Sequence, residues 1–141
     1  MIKKISLALL IACFSFDLSA ADISAEKIKR KQDMHTLSSG LRLIQDGIIY
    51  GQKSILLSGV DMLKKGEETL LSAHGEDLKK YLPKDKAYAF KYAQATGKRI
   101  ATYSNELKEM VEKDADYTDI TNTYSLILNE CAGCHLRIRQ K

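Results

Sequence analysis

Proline and tryptophan are nearly absent from this sequence, which contains one proline, Pro83, and no tryptophan. All-β domains join many short strands through turns rich in proline and glycine, so this composition argues against an all-β fold. The chain also has no low-complexity run and no internal repeat. Its formal net charge is only +4, and no basic cluster is interleaved with aromatic residues. We therefore expect no nucleic-acid partner.

The first 20 residues have the pattern of a secretory leader rather than of folded structure. A positive segment with Lys3 and Lys4 precedes an apolar stretch, and the small residue Ala20 suits cleavage. The apolar stretch is too short for a membrane span, so no stable span is expected. The sequence predicts a signal peptide over residues 1–20, a single mature domain over residues 21–141 and export to the periplasm.

A second interpretation of the leader is that of a bacterial lipoprotein. The segment LIAC resembles a lipobox, in which Cys13 would become the lipidated first residue. We favour plain secretion because the apolar stretch continues through Phe14 and Phe16 to a good cleavage site. Either interpretation places the mature protein outside the cytoplasm.

Apolar residues along the mature region recur at steps of three and four, which is the period of amphipathic helices. This pattern predicts four helices, over about residues 22–49, 52–73, 85–113 and 118–139. Four helices joined by short connections predict an all-α fold, an antiparallel up-and-down four-helix bundle.

Two of these helices carry unexpected residues on their apolar faces. In the first helix, the face that includes Met34 reaches Arg30 when it is extended backwards by four residues, which places a charge where core is expected. In the third helix, the inward positions Ala93, Gly97 and Ser104 are small. Because glycine inside a helix costs about 1 kcal/mol relative to alanine, Gly97 indicates close approach by a neighbouring element or a bulky guest.

The chemistry of the sequence is concentrated near its C-terminus, in the segment CAGCH. Cys131, Cys134 and His135 form a C-x-x-C-H motif, the signature of covalent c-type haem attachment. Residues three or four apart on a helix share a face, so both sulfurs and the imidazole converge on one side. The two thiols can add to the two vinyl groups of haem while His135 binds the iron. The sequence predicts one covalent haem c at these residues.

Two alternatives use the same cysteines without haem. The two cysteines could form a disulfide or a thioredoxin-like redox pair, but the thioredoxin-like family needs a strand–helix context that this sequence does not predict. A structural zinc site needs four ligands, and only His35 and His74 remain to complete one. These alternatives describe a haem-free thiol or metal-binding helical protein.

In architecture and motif the sequence resembles the cytochrome c′ family, the class II c-type cytochromes. Members carry the haem motif near the C-terminus of an antiparallel four-helix bundle, with a basic residue four places after the histidine. Here that residue is Arg139, in CAGCHLRIR. Members also carry a basic residue four before the distal haem position, which matches Arg30 and Met34 in RKQDM. The resemblance implies that Arg30 and Arg139 help to bind haem, with Arg30 beside a propionate.

The residue at the distal position divides this family into two functional groups. Met34 implies the six-coordinate group, in which a thioether opposite histidine favours one-electron transfer. We therefore predict a non-enzymatic, periplasmic one-electron carrier with His135 and Met34 as iron ligands. The alternative is a five-coordinate member that binds or scavenges NO or CO, with Met34 as an ordinary core residue. His35 competes for the sixth position, but it is turned about 100° from the apolar face.

The expected partners are redox proteins of unknown identity. Basic residues near the two chain ends form a rim that would steer an acidic partner, although they fit a solvated helix face equally well; they are Lys27, Lys29, Lys31, Arg137, Arg139 and Lys141. Many members of the family form antiparallel dimers through their first two helices, so the resemblance leaves a homodimer open.

Overall fold

The computed structural model describes residues 25–75, 78–79, 82 and 88–138. The predicted signal peptide, Cys13 and the basic residues Arg139 and Lys141 lie outside the described residues.

Four α-helices and no strand make up the described residues, which confirms the prediction of an all-α bundle. The helices are α1 (Ala25–Ile49), α2 (Lys53–Glu68), α3 (Ala89–Glu112) and α4 (Tyr117–Ile138). A π-helical turn, Thr69–Ala73, continues α2. The sequence had predicted one uninterrupted helix over about 52–73, and the structure corrects this. The His74 amide donates to the Thr69 carbonyl oxygen five residues earlier, at 2.9 Å, so the last turn is wider than an α-helical turn.

Helices α1 and α2 are antiparallel and approach each other closely enough for backbone contact. A Cβ atom at Gly59 of α2 would lie 2.6 Å from the Ile44 amide nitrogen and 2.8 Å from the Gly40 carbonyl oxygen of α1. Both distances are well inside van der Waals contact, so no side chain fits at this position. Each helix carries two glycines spaced by seven residues, and all four lie against the other helix. Gly40 and Gly59 face each other, Gly47 lies against Leu56, and Gly66 lies against Leu37.

The remaining helices are also antiparallel to their neighbours and close the bundle. Polar contacts join α2 to α3 through Lys64 with Asn105 and Asp61 with Lys108, and join α3 to α4 through Arg99 with Glu130. The Tyr124 hydroxyl of α4 donates to the Leu41 carbonyl oxygen of α1 at 3.2 Å, which completes the circuit. Within the described part of the chain, no helix is long and apolar enough to cross a membrane.

The half of the bundle near the α1–α2 turn has a solid apolar core. Its largest fully buried side chains come from all four helices: Ile44, Leu56, Leu63, Leu107 and Ile127. Burying a side chain of this kind contributes about 1.5–3 kcal/mol relative to leaving it in water. Ser104, one of the small inward residues of α3, is completely buried between Ile100 and Leu107. This half therefore holds the helices in register and leaves the other half to form a cavity.

Candidate haem-binding site

A cavity of about 290 Å³ lies in the half of the bundle that contains the start of α1 and the end of α4. All four helices and the π-helical turn contribute to its lining, which is mostly aliphatic. Its volume is close to the lower end of the range for ligand-binding pockets. The cavity is therefore an internal space built by the same helices that carry the predicted site residues.

Four of the predicted site residues meet in this cavity. Met34 of α1 and Cys131, Cys134 and His135 of α4 all line it. The two cysteines are partly buried and His135 is exposed, so the imidazole lies where the cavity opens to solvent. Cys131 also packs against the solid core, which fixes the motif between the two halves of the bundle. A helix places side chains at these spacings on one face, as the sequence predicted.

The two thiols are free and are not joined to each other. Burial is the main cause that raises the pKa of Cys131, and it also raises the pKa of Cys134, to about 11. Both sulfurs are therefore protonated at neutral pH. Catalytic and redox-active cysteines have lowered pKa values because the thiolate is the reactive form. This environment therefore argues against the thioredoxin-like interpretation.

Small residues of α3 form one wall of the cavity. Ala93 and Gly97 both line it and both are buried. The tip of Leu71, from the π-helical turn, lies over Gly97 so closely that a Cβ atom there would overlap its Cδ1 atom. The close approach that Gly97 indicated is therefore made by Leu71, which lines the same cavity.

The two arginines predicted to bind haem are not in the cavity lining. Arg30 lies one turn before Met34 on α1 and is partly buried, but it does not line the cavity. Arg139 lies outside the described residues. Arg30 therefore shares an end of the bundle with the cavity, and its predicted role at a propionate stays a prediction.

The histidines other than His135 do not line the cavity. His35 is exposed, and its Nδ1 atom lies 3.4 Å from the Ser39 hydroxyl on the same helix. His74 is partly buried, and its Nδ1 atom lies 2.6 Å from the Asp33 carboxylate. Asp33 is buried and comes directly before Met34. No local pattern in the sequence indicates this pair.

Two further acidic residues near the cavity were also missed. Glu67 of α2 is a carboxylic acid in the mostly aliphatic lining, and burial, with a smaller contribution from Glu68, raises its pKa. Glu130 comes directly before Cys131 and pairs with Arg99 of α3. The sequence shows that Glu130 lies next to the motif. It does not show that Arg99, 31 residues away, is the partner of Glu130.

The described residues include no group of three or more histidine, cysteine, aspartate or glutamate side chains placed to hold a metal ion. A tetrahedral zinc site needs four such ligands, so this part of the chain gives the zinc alternative no ligand set. No protein-family model, curated protein or solved structure matches this chain. The resemblance to the cytochrome c′ family therefore stays a prediction that rests on the motifs.

Proposed function

We propose that this protein is a periplasmic monohaem c-type cytochrome of the cytochrome c′ type that carries one electron at a time. The observation that carries the proposal is that Met34, from the first helix, lines one cavity with Cys131, Cys134 and His135 of the last helix. The C-x-x-C-H motif supplies the two attachment sulfurs and one iron ligand on a single helical face. Met34 supplies the candidate second ligand from α1, the helix next to α4.

Each residue of the site has a distinct task in this proposal. Cys131 and Cys134 would hold the haem covalently, and His135 and Met34 would provide the nitrogen and sulfur ligands of its iron. Haem, when bound, supplies one-electron exchange between ferric and ferrous iron. The mostly aliphatic lining would give the haem an apolar environment inside the bundle, and together with a thioether ligand it would favour the ferrous state and a raised potential.

Haem is too large for a cavity of about 290 Å³, so the cavity must widen when haem binds. Leu71 is the side chain placed to move, because its tip lies over Gly97 at the cavity wall. It belongs to the π-helical turn, and such turns are frequent at functional sites. We expect Leu71 to leave Gly97 when haem is attached.

Electron carriers of this kind exchange electrons with other proteins at an exposed edge. Lys29 and Lys31 of α1 and Leu136 of α4 are exposed at the end of the bundle that contains the cavity. A basic surface at the same end of the bundle as the exposed His135 suits an acidic redox partner, whose association would weaken as salt concentration rises.

The experiment that tests the proposal is expression of the full chain in a host with working cytochrome c maturation. We expect a coloured protein whose pyridine haemochrome spectrum is that of a haem with two thioether bonds. Cys131→Ser and Cys134→Ser should each give a spectrum with one fewer thioether. Colourless protein from a host that matures a control cytochrome would refute the proposal.

The optical spectrum of the oxidised protein separates the carrier from its alternative. A low-spin spectrum with a sulfur-to-iron charge-transfer band supports ligation by Met34. A high-spin spectrum with rapid uptake of NO or CO would instead assign the protein to the five-coordinate, gas-binding group.

A further inference from the structure

A bidentate ion pair lies directly beside the C-x-x-C-H motif. The Nε and one terminal guanidinium nitrogen of Arg99, on α3, each donate to a different carboxylate oxygen of Glu130, on α4, and both distances are 2.7 Å. Glu130 is the residue before Cys131, and its side chain is only 19% exposed. A planar guanidinium held by two short bonds is well fixed in position.

The same arginine also contacts the wall of the cavity. A terminal guanidinium nitrogen of Arg99 donates to the Thr96 hydroxyl at 3.2 Å. Thr96 is buried and lines the cavity together with Cys131. The hydrogen bond to Glu130 is the main cause that raises the pKa of Arg99. The pair therefore places one positive and one negative charge, in fixed positions, between the cavity wall and the motif.

We propose that the Arg99–Glu130 pair tunes the reduction potential of the haem by neutralising the Glu130 carboxylate next to its attachment site. This inference rests on the proposed function. Oxidation adds one positive charge to the iron, so an uncompensated carboxylate nearby stabilises the ferric state and lowers the potential. An uncompensated guanidinium has the opposite effect. Together the two charges largely cancel, and the pair acts as a positioning and tuning element and not as a ligand.

The two charges give predictions of opposite sign. Arg99→Gln leaves Glu130 uncompensated and lowers the potential. Glu130→Gln leaves Arg99 uncompensated and raises it. The double variant removes both charges and returns towards the wild-type value. A pair that only joined α3 to α4 would behave differently, because losing either partner would loosen the same contact and shift the potential in the same direction.

A second ion pair of the bundle provides matched controls. Lys108 of α3 and Asp61 of α2 lie 3.3 Å apart, are both more exposed than Glu130, and do not line the cavity. Lys108→Gln and Asp61→Asn remove the same charges from the protein as the two test variants. Lys108 is about as exposed as Arg99, 36% against 41%, so the control pair differs from the test pair chiefly in lying away from the cavity and the motif. We therefore expect the control variants to change the potential much less.

The test is a spectroelectrochemical titration of the holoprotein and its variants at neutral pH. At a fixed applied potential, we expect the ratio of oxidised to reduced protein to rise about threefold or more in Arg99→Gln and to fall by a similar factor in Glu130→Gln. Shifts of the same sign in both variants, or shifts no larger than those of the Lys108 and Asp61 controls, would overturn the inference. If Arg99→Gln does not fold, the direction of the Glu130→Gln shift decides.

The experiment distinguishes a protein that binds no haem from a haem protein whose ion pair has no effect on the potential. A wild-type chain that binds no haem refutes the proposed function, and no potential can then be measured. A wild-type chain that binds haem, with variants whose potentials do not separate in opposite directions, refutes only the role of the ion pair.

Discussion

The backbone contact between α1 and α2 predicts that Gly59→Ala destabilises the protein even though alanine is the better helix former. Alanine in a helix interior is favoured over glycine by about 1 kcal/mol. In this structure the added Cβ atom would lie 2.6 Å from the Ile44 nitrogen and 2.8 Å from the Gly40 oxygen. Both are backbone atoms, so the helices themselves must separate. Overpacking costs about 1–3 kcal/mol, and we take the upper end because both clashing atoms are backbone. After the gain of about 1 kcal/mol from alanine, a net loss of about 2 kcal/mol remains.

Urea unfolding followed by far-UV circular dichroism measures this loss. With a denaturant slope of about 2 kcal/mol per molar, we expect the unfolding midpoint of Gly59→Ala to fall by about 1 M. Gly75→Ala is the matched control, because the nearest atom to its added Cβ would be Phe90 Cζ at 3.7 Å, an ordinary contact. A Gly59→Ala protein as stable as wild type, or more stable, would refute the close approach of α1 and α2.

Three further predictions concern the cavity. Met34→Ala removes the proposed sulfur ligand and should abolish the charge-transfer band of the oxidised protein, whereas His35→Ala, at an exposed position outside the cavity, should keep it. Gly97→Val fills space at the cavity wall that haem would use once Leu71 has moved; we expect the haem-to-protein ratio, read from the haemochrome and total protein, to fall at least about twofold while helix content stays constant. Arg30→Gln removes the predicted propionate partner, so the potential should fall; an unchanged potential and unchanged haem content would remove Arg30 from the site.

The helices and the shared face of the motif were predictable because both depend on local sequence. Apolar residues at steps of three and four fix where a helix lies and which face it buries. The spacing of Cys131, Cys134 and His135 then fixes their common side, and Met34 was placed on the inward face of its own helix by the same rule. Once the helices form a bundle in this register, these four residues line one cavity.

The contacts that were missed depend on the register between helices, which the period of one helix does not determine. Asp33 and His74 are 41 residues apart, and Arg99 and Glu130 are 31 apart. Sequence patterns gave no means of matching these partners. The π-helical turn was missed because one widened turn leaves the apolar pattern of α2 almost unchanged.

The glycines of α1 and α2 are the one sequence feature that indicates a contact between two particular helices. Glycine recurs at a spacing of seven on both helices, so two glycines lie on one face of each helix. An ordinary apolar face carries large side chains at such positions. The structure shows that the two faces are complementary, since glycine on one helix meets the backbone of the other. The spacing could have predicted a close helix pair.

The central claim is that one haem is attached to the last helix through Cys131 and Cys134. Intact mass spectrometry of the protein matured in a competent host, followed by proteolytic mapping, tests it most directly. The account predicts a mass increase of one haem per chain, carried entirely by the peptide that contains CAGCH. A chain at the mass of its polypeptide alone, or a haem found on any other peptide, would contradict it.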